Sequence, residues 1–468
     1  MRRTLTGLLA LAMVACSGLA APTATKPATP KPGAYTGTIG KALYKVDIPA
    51  HWNGTLLLYS HGYTAPGSTL NPTDSGDPAT AQWLLGQGFA LAGSSYSSTG
   101  WALADAFNDQ VALLDEFGRR FARPRRTVAW GHSLGGIITA GLVQLHPERF
   151  AGAVPMCGVL GGSVGNWNGA LDLGFAFKTL LAPGSALQLV RISDGKANND
   201  LAQSLLRSAQ ATPAGQARLS LVAALGQLPG WFNPLAPEPA AADLTAQESN
   251  QAQWMQTDFG YEFAYRAELE SRAGGNPSWN TGFDYSGELA ASPARDEVAG
   301  LYQRAGLDLS ADLAALHDAP RIAPDAAAVA YLARNVTFDG KLGLPIVTLH
   351  STGDGLVVAA NERAYQDVVQ AAGDGGQLRQ VFVHRANHCI FTPAEQVAAF
   401  QVLFERLDGG SWPATSAAAL NARALALGDA LNGGGLPGSG IRLKLGPSFV
   451  DYAPAAFPRQ FDNRTARP

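Results

Sequence analysis

Thr127-Val128-Ala129-Trp130-Gly131-His132-Ser133-Leu134-Gly135-Gly136 decides the reading of this chain. A short apolar run feeds a G-x-S-x-G pentapeptide, and residues 137–145 continue as an apolar, helix-compatible run. Strand, tight turn and helix in that order hold a serine on a sharp bend, the context of a nucleophile elbow. Gly131 and Gly135 leave room where a Cβ would clash. The helix starting beside Ser133 points its first N–H groups at the place where negative charge develops. A second match, Gly161-Gly162-Ser163-Val164-Gly165, runs into Asn166-Trp167-Asn168-Gly169. That composition predicts a loop and not a helix start. With 53 glycines in 468 residues, chance matches are expected. Flanking context therefore makes Ser133 the nucleophile and Ser163 a linker serine.

Around the pentapeptide, strands and helices alternate. Residues 35–48 alternate weakly, 49–54 read as a turn, and Thr55-Leu56-Leu57-Leu58-Tyr59-Ser60 has the continuous apolar character of a strand buried on both faces. Residues 79–85 predict a helix and 89–95 a strand. Phe107, Val111, Leu114, Phe117 and Phe121 mark a helix over 105–121, and 150–156 predict another strand. The rhythm predicts an α/β fold with a mostly parallel, doubly wound sheet. It breaks at 160–340, where helical patterns dominate: 170–181, 201–211, 217–225, 247–271 and 294–305. This is too long for a loop and reads as a helical cap inserted over the sheet's C-terminal edge. Strands resume at 344–350 and 378–384, with helices at 361–372 and 393–407. The core therefore comprises 35–159 and 341–408, the cap 160–340, and 409–468 is a Gly-, Ala- and Pro-rich extension read as a surface wrap with no assigned role.

A serine hydroxyl needs a base to take its proton, and the base needs an orienter. The strand at 344–350 leads to Ser351-Thr352-Gly353-Asp354-Gly355, which sets an aspartate on a glycine-flanked turn at the sheet edge. The next strand leads to Arg385-Ala386-Asn387-His388-Cys389. His388 there is placed to reach both Ser133 and Asp354. Asp339 and Asp374 read as turn caps, and His384 as a packed or surface histidine within its strand. A tetrahedral intermediate needs two N–H donors. Leu134, directly after the serine, supplies one; Tyr63, in the turn Ser60-His61-Gly62-Tyr63, is chosen for the other.

Composition narrows the class. Apolar residues make up 46% of the chain, charged residues only 15%, and the formal net charge is −3. No basic run extends beyond residues 119–126, which read as a solvated helix end, so nucleic-acid binding has no electrostatic support. The eight histidines are scattered, without H-E-x-x-H or C-x-x-C, so no metal site is indicated. No dinucleotide fingerprint appears, and no cofactor is expected beyond water. Arg2, Arg3 and a short apolar run predict an export signal over 1–16. Met13-Val14-Ala15-Cys16 resembles a bacterial lipobox, which makes Cys16 a lipidation site and the only expected contact with a membrane; the alternative is cleavage near Gly18-Leu19-Ala20 and release. Residues 17–34, rich in Ala, Pro and Thr, read as a tether.

With these residues in view, 55–148 and 344–407 resemble the α/β-hydrolase superfamily, and among it exported bacterial serine esterases and lipase-like hydrolases. The resemblance implies Ser133 as nucleophile, His388 as base and Asp354 as orienter. Tannases and feruloyl esterases carry a cysteine directly after the catalytic histidine, bridged to one directly before the serine. His388-Cys389 matches the first half; His132 stands in the other place. Cys157, at the end of the strand next to the elbow strand, is a substitute partner for Cys389, the alternative being two buried free thiols.

Three functions compete. The first is a carboxylic-ester hydrolase working through an acyl-enzyme on a small-molecule or polymeric ester. The second is a serine peptidase or amidase, prolyl-aminopeptidase-like, with Asp258, Glu262, Glu268 and Glu270 as candidates to hold a substrate amine or, equally, as a solvated helix face. The third is a non-catalytic surface binding module, against which a complete triad argues. Residues 94–101, Ser94-Ser95-Tyr96-Ser97-Ser98-Thr99-Gly100-Trp101, either line an acyl pocket or form a hydroxyl-rich turn. Trp254, Phe259, Tyr261, Phe263 and Tyr265 read as core at helical spacing, in a cap that suits a bulky apolar or aromatic acyl group.

Overall fold

The computed structural model describes residues 30–435, 442–443 and 445–461. The predicted export signal, Cys16 and residues 17–29 of the tether lie outside them. The first strand already begins inside the end of the predicted tether, at Gly33.

Eight strands form the body of a nine-stranded sheet: β1 (Gly33–Ile39), β2 (Ala42–Ile48), β3 (Thr55–Ser60), β4 (Ala90–Ser94), β5 (Arg126–His132), β6 (Gly152–Met156), β7 (Ile346–Gly353) and β8 (Leu378–Ala386). Their spatial order is β1-β2-β4-β3-β5-β6-β7-β8, closed by the two-residue strand Phe449–Val450. From β4 to β8 every pairing is parallel; β1, β2 and Phe449–Val450 pair antiparallel at the two edges. This is the α/β-hydrolase fold that the resemblance implied. The central strands are buried along their whole length, as strands covered on both faces must be. In β3, Leu56 and Leu58 face one core while Leu57 and Tyr59 face the other.

Helices cover both faces. On one side lie α2 (Leu103–Arg120), α3 (Leu134–Leu145) and α13 (Ala360–Ala372); on the other lie α1 (Pro78–Gly86), α14 (Pro393–Gly409) and α15 (Ala417–Leu425). In α2 the buried positions Leu103, Ala106, Phe107, Gln110, Leu113, Leu114 and Phe117 recur at helical spacing. Asp105 in its first turn and Arg119 and Arg120 in its last match the helix dipole, which is the solvated helix end read from the sequence. Each fully buried leucine here contributes about 1.5–3 kcal/mol.

Between β6 and β7 the chain is helical: α4 (Gly162–Leu181), α5 (Gly195–Gln210), α6 (Pro213–Leu225), α7 (Leu244–Gly260), α8 (Arg266–Ala273), α9 (Tyr285–Ala291), α10 (Arg295–Ala305), α11 (Leu309–Asp318) and α12 (Ala326–Arg334). Most of these helices share an apolar core of their own, built from residues such as Leu171, Phe177, Val222, Trp254, Phe259, Phe263 and Leu316. They sit at the sheet's C-terminal edge: Trp254 packs where a Cβ on Gly355 would go, and Asn387 donates to the Phe232 carbonyl.

Two expectations need correction. The stretch at Gly161–Gly169 is not a loop: α4 starts at Gly162 and carries Ser163 in its first turn. Its glycines serve packing. A Cβ on Gly161 or Gly165 would meet the Phe457 ring at 2.7 or 2.9 Å. The helix expected over 247–271 is interrupted by a π-helical turn, Tyr261–Tyr265, a form often found at functional sites. Among the described residues no helix is long and apolar enough to cross a membrane.

Candidate active site

Ser133 directly follows the last residue of β5 and caps α3 with φ 59° and ψ −122°. A non-glycine residue there costs about 1–3 kcal/mol and persists only where its surroundings enforce it. They do. The Ser133 N–H donates to the Met156 carbonyl at 3.0 Å, and the Gly136 N–H donates to the Ser133 carbonyl at 2.8 Å. A Cβ on Gly131 or Gly135 would collide with the Ser60 carbonyl oxygen, so β3 and the elbow touch only because both positions are glycine. Gly62 lies over the serine: a Cβ there would stand 3.3 Å from Ser133 Cβ.

The structure brings the three residues expected to act together into one hydrogen-bonded line. His388 Nε2 lies 2.8 Å from Ser133 Oγ, and His388 Nδ1 lies 2.7 Å from Asp354 Oδ2. Asp354 follows the last residue of β7 and its side chain is fully buried. Its other oxygen accepts the Leu356 and Val357 N–H groups at 3.1 and 3.0 Å, which fixes the carboxylate plane. The His388 loop is clamped from both ends: Asn387 N–H donates to the Gly353 carbonyl, and Ser351 Oγ donates to the Asn387 carbonyl. Asn387 and Cys389 flank the histidine with positive φ, 76° and 56°. The Sγ atoms of Cys389 and Cys157 stand at bonding distance, with Cα atoms 5.4 Å apart. A hydroxyl, an imidazole and a carboxylate in this line can pass the hydroxyl proton to the ring and stabilise the cation that results.

The alternatives lie elsewhere. Asp339 accepts the Lys341 N–H as a turn cap, whereas Asp374 accepts the N–H of the distant Leu342 and so ties two loops together. His384 is exposed on β8, 3.3 Å from Glu238. His132, beside the serine, faces the other side of the sheet, where Tyr59 Oη meets its Nδ1. Burial lowers its pKa to about 4, so it is neutral at pH 7. Ser163 is fully buried and accepts the Trp101 indole N–H at 3.3 Å.

A cavity opens beside Ser133. Tyr63, Leu134 and Trp101 from the core line it, with Trp167, Leu173, Leu225 and Tyr261 from the cap. The chosen oxyanion residues Tyr63 and Leu134 thus share one wall with the serine. The Tyr63 ring packs on Tyr261 and Tyr265, at 5.2 and 5.7 Å between centroids. The cap aromatics therefore divide: Trp254, Phe259 and Phe263 are core, while the π-turn lets Tyr261 reach the cavity and Tyr265 brace Tyr63. The serine-rich stretch divides too. Trp101 lines the cavity, whereas Ser97 and Ser98 bind Asp109 and Asp105 on α2.

The cap acids are not the solvated face that one reading allowed. Glu262 is buried and pairs with buried Arg266 at 2.7 Å. Burial pushes its carboxyl up to about 7, against the pull of Arg266. Asp258 lines the cavity with Oδ1 buried and unpartnered, and burial, helped by the Asp354 charge, holds its carboxyl well above the usual range. Glu268 binds Arg272 and the Trp101 N–H, and Glu270 is buried. Two further charged residues on the cavity wall escaped the sequence reading. Asp172 on α4 is buried and pushed up to about 7 by that burial, against the pull of Arg459. Arg459 comes from the extension that was assigned no role; Phe457, Pro458 and Arg459 form one side of the cavity.

A model of the prolyl oligopeptidase family matches residues 86–162, the segment with the elbow. The chain is 29% identical over 423 residues to an "o-phthalyl amidase" of Xanthobacter agilis, covering 83% of this chain and 91% of that protein. Among solved structures it is similar to feruloyl esterase B from Aspergillus oryzae, at 16% identity, 80% coverage of each chain and a TM-score of 0.41. It is also similar to Pyrococcus horikoshii acylaminoacyl peptidase, at 10% identity and a TM-score of 0.37, covering 81% of this chain but 42% of that one. By its strand order, its strained serine elbow and the family model that matches that segment, this chain is a serine hydrolase of the α/β-hydrolase superfamily.

Proposed function

We propose that the chain hydrolyses carboxylic amides and esters of bulky aromatic acids through an acyl-enzyme on Ser133. The hydrogen-bonded line Asp354–His388–Ser133, opening on an aromatic cavity, carries this reading. Ser133 Oγ attacks the acyl carbon while His388 Nε2 takes its proton. The N–H groups of Leu134 and Tyr63 hold the oxyanion, each contributing about 3–4 kcal/mol to the transition state. His388 then returns the proton to the departing amine or alkoxide. Water, deprotonated by the same ring, releases the acid. Asp354 keeps the ring in the tautomer that this requires.

The aromatic walls, Trp101, Trp167 and Tyr261, support an aromatic acyl group, and the name of the Xanthobacter agilis relative points to the same chemistry with an amide as the scissile bond. The reading places the protein outside the cytoplasm, where Cys16 is an anchor and Cys157 and Cys389 can oxidise. The test is turnover of benzoyl p-nitroanilides and p-nitrophenyl benzoates by the protein and by Ser133→Ala. Turnover of both that vanishes in the variant is expected. Activity that survives in Ser133→Ala refutes the assignment, and ester turnover alone confines the function to esters.

A further inference from the structure

A second histidine stands behind the orienter. His350 is a fully buried residue of β7, and both its ring nitrogens meet acceptors. Nε2 lies 2.8 Å from the Val357 carbonyl, which has no proton to give, so Nε2 carries one. Nδ1 lies 3.1 Å from Glu362 Oε1. Glu362 is itself fully buried, in the first turn of α13, where the helix dipole favours a negative charge. Its other oxygen accepts the Thr348 hydroxyl and the Gln380 side-chain amide, each at 2.6 Å. The Gln380 nitrogen also donates to the Glu362 main-chain carbonyl at 2.8 Å, which fixes the amide's orientation. A carboxylate that takes these donors at Oε2 takes a third from Nδ1 at Oε1, and the ring is then an imidazolium.

That cation reaches the triad. His350 Nε2 stands 3.7 Å from Asp354 Oδ2, the same oxygen that meets His388 Nδ1 at 2.7 Å. Burial works to lower the pKa of His350, but the hydrogen bond and charge of Glu362 and the charge of Asp354 together raise it. Among the described residues, the ionisable groups facing this cluster are Asp354 after β7, Glu362 and Tyr365 on α13, His388 after β8, and Asp258 on α7. Resting on the hydrolase reading above, we propose that His350 is a positioning residue for the reaction at Ser133: its imidazolium, held between Glu362 and Asp354, keeps the orienting carboxylate charged in a buried site and keeps His388 free of a proton, and so able to act as base, near neutral pH. The same ring ties down the turn, since the Val357 N–H donates to Asp354 Oδ1 while the Val357 carbonyl accepts from His350.

The test uses two variants of the full chain. His350→Gln keeps a side-chain donor for the Val357 carbonyl but carries no charge. Glu362→Gln leaves β7 intact and removes the counter-ion, without which the buried ring gives up its proton. The readout is the rate at which a fluorophosphonate labels Ser133, followed from about pH 5 to about pH 9, which needs no substrate. Below the acid limb of that profile His388 is protonated and the serine has no base. Losing the cation makes a proton on His388 easier to hold, so the limb should move up by about one pH unit in either variant. Loss of packing alone lowers the rate at every pH and leaves the limb in place. A limb that stays or moves down in either variant overturns the proposal. Nitrogen NMR spectra of the unsubstituted chain, labelled at histidine, decide the charge without any substitution. One imidazolium that keeps both protons at about pH 8, where a free histidine has lost one, is expected, and its absence overturns the proposal. Absence of Ser133 labelling in the unsubstituted chain overturns the hydrolase reading beneath; labelling with an unmoved limb in the variants overturns the positioning role alone.

Discussion

Removing the Cys157–Cys389 link is expected to cost both stability and rate. The two cysteines are 232 residues apart in sequence, and closing a loop that long takes about 5.5 kcal/mol of chain entropy from the unfolded state. For 468 residues the unfolding entropy is about 1 kcal/mol per kelvin, so the loss corresponds to a fall of about 5 °C in Tm. The chemical effect is local. Cys389 follows His388 directly, and its Sγ lies 3.2 Å from His388 Nε2. With Asn387 and Cys389 both at positive φ, the loop follows a strained path that a bond from Cys389 to Cys157, directly after β6, would help to enforce. Released, the imidazole drifts, and displacement of about 1 Å can cost about 100-fold in rate. We expect kcat of Cys157→Ala/Cys389→Ala to fall about tenfold with KM little changed. Calorimetry and p-nitroanilide turnover, with and without dithiothreitol, measure both effects. Thiol counting on protein made under oxidising conditions decides the premise: two free thiols, with a Tm that ignores reductant, refute the bond. A bond that forms, yet whose loss leaves Tm and kcat unchanged, refutes the positioning argument.

Three further outcomes follow from named contacts. Asp354→Asn should lower kcat by about 10⁴ with KM within about twofold, because the ring loses its tautomer and not its substrate; stopped-time assays at high enzyme concentration check it. Arg266→Met should destabilise the fold by about 3–5 kcal/mol, since it leaves the buried Glu262 carboxyl without its partner, and Glu262→Gln/Arg266→Met should recover most of that in a denaturant midpoint. Stability should also fall as pH rises from about 5 to about 8. Asp172 and Glu262 have folded-state pKa values raised to about 7, above their unfolded values, so the native state holds extra protons that it loses as pH rises through that value. The expected loss is a few kcal/mol, and Glu262→Gln should flatten the slope of Tm against pH; an unchanged slope refutes the assignment.

Much of the fold was legible because its signals are local. The buried run of β3, the amphipathic face of α2 and the elbow each declare themselves within a few residues. Parallel strands buried on both faces read as apolar runs, so their order in the chain, though not their order in the sheet, followed directly. The glycines misled. At Gly131 and Gly135 they mark a strained turn, but at Gly161 and Gly165 they mark a helix start pressed against Phe457. The two stretches share the G-x-S-x-G spacing, and the distant Phe457 that fills the space explains the glycines of the second.

The site divides along the same line. Ser133, Asp354 and His388 each sit at or just past the end of an apolar strand, so the sheet edge that joins them is implied by three local patterns. The cavity is not local. Asp172, Tyr261 and Arg459 come from a helix read as beginning at 170, from a π-turn inside a predicted continuous helix, and from a Pro-rich extension. No periodicity relates them. What relates them is charge in a closed space. The buried Asp172 carboxyl is drawn down, against burial, by Arg321 of the cap and by Arg459 of the extension, which stands 3.3 Å away. The short strand Phe449–Val450 pairs with β8, and from there the chain runs on to Phe457 at the cavity wall. The strand that completes the sheet thus leads into the segment that completes the pocket, so residues that read as a surface wrap form part of the wall against which a substrate would lie.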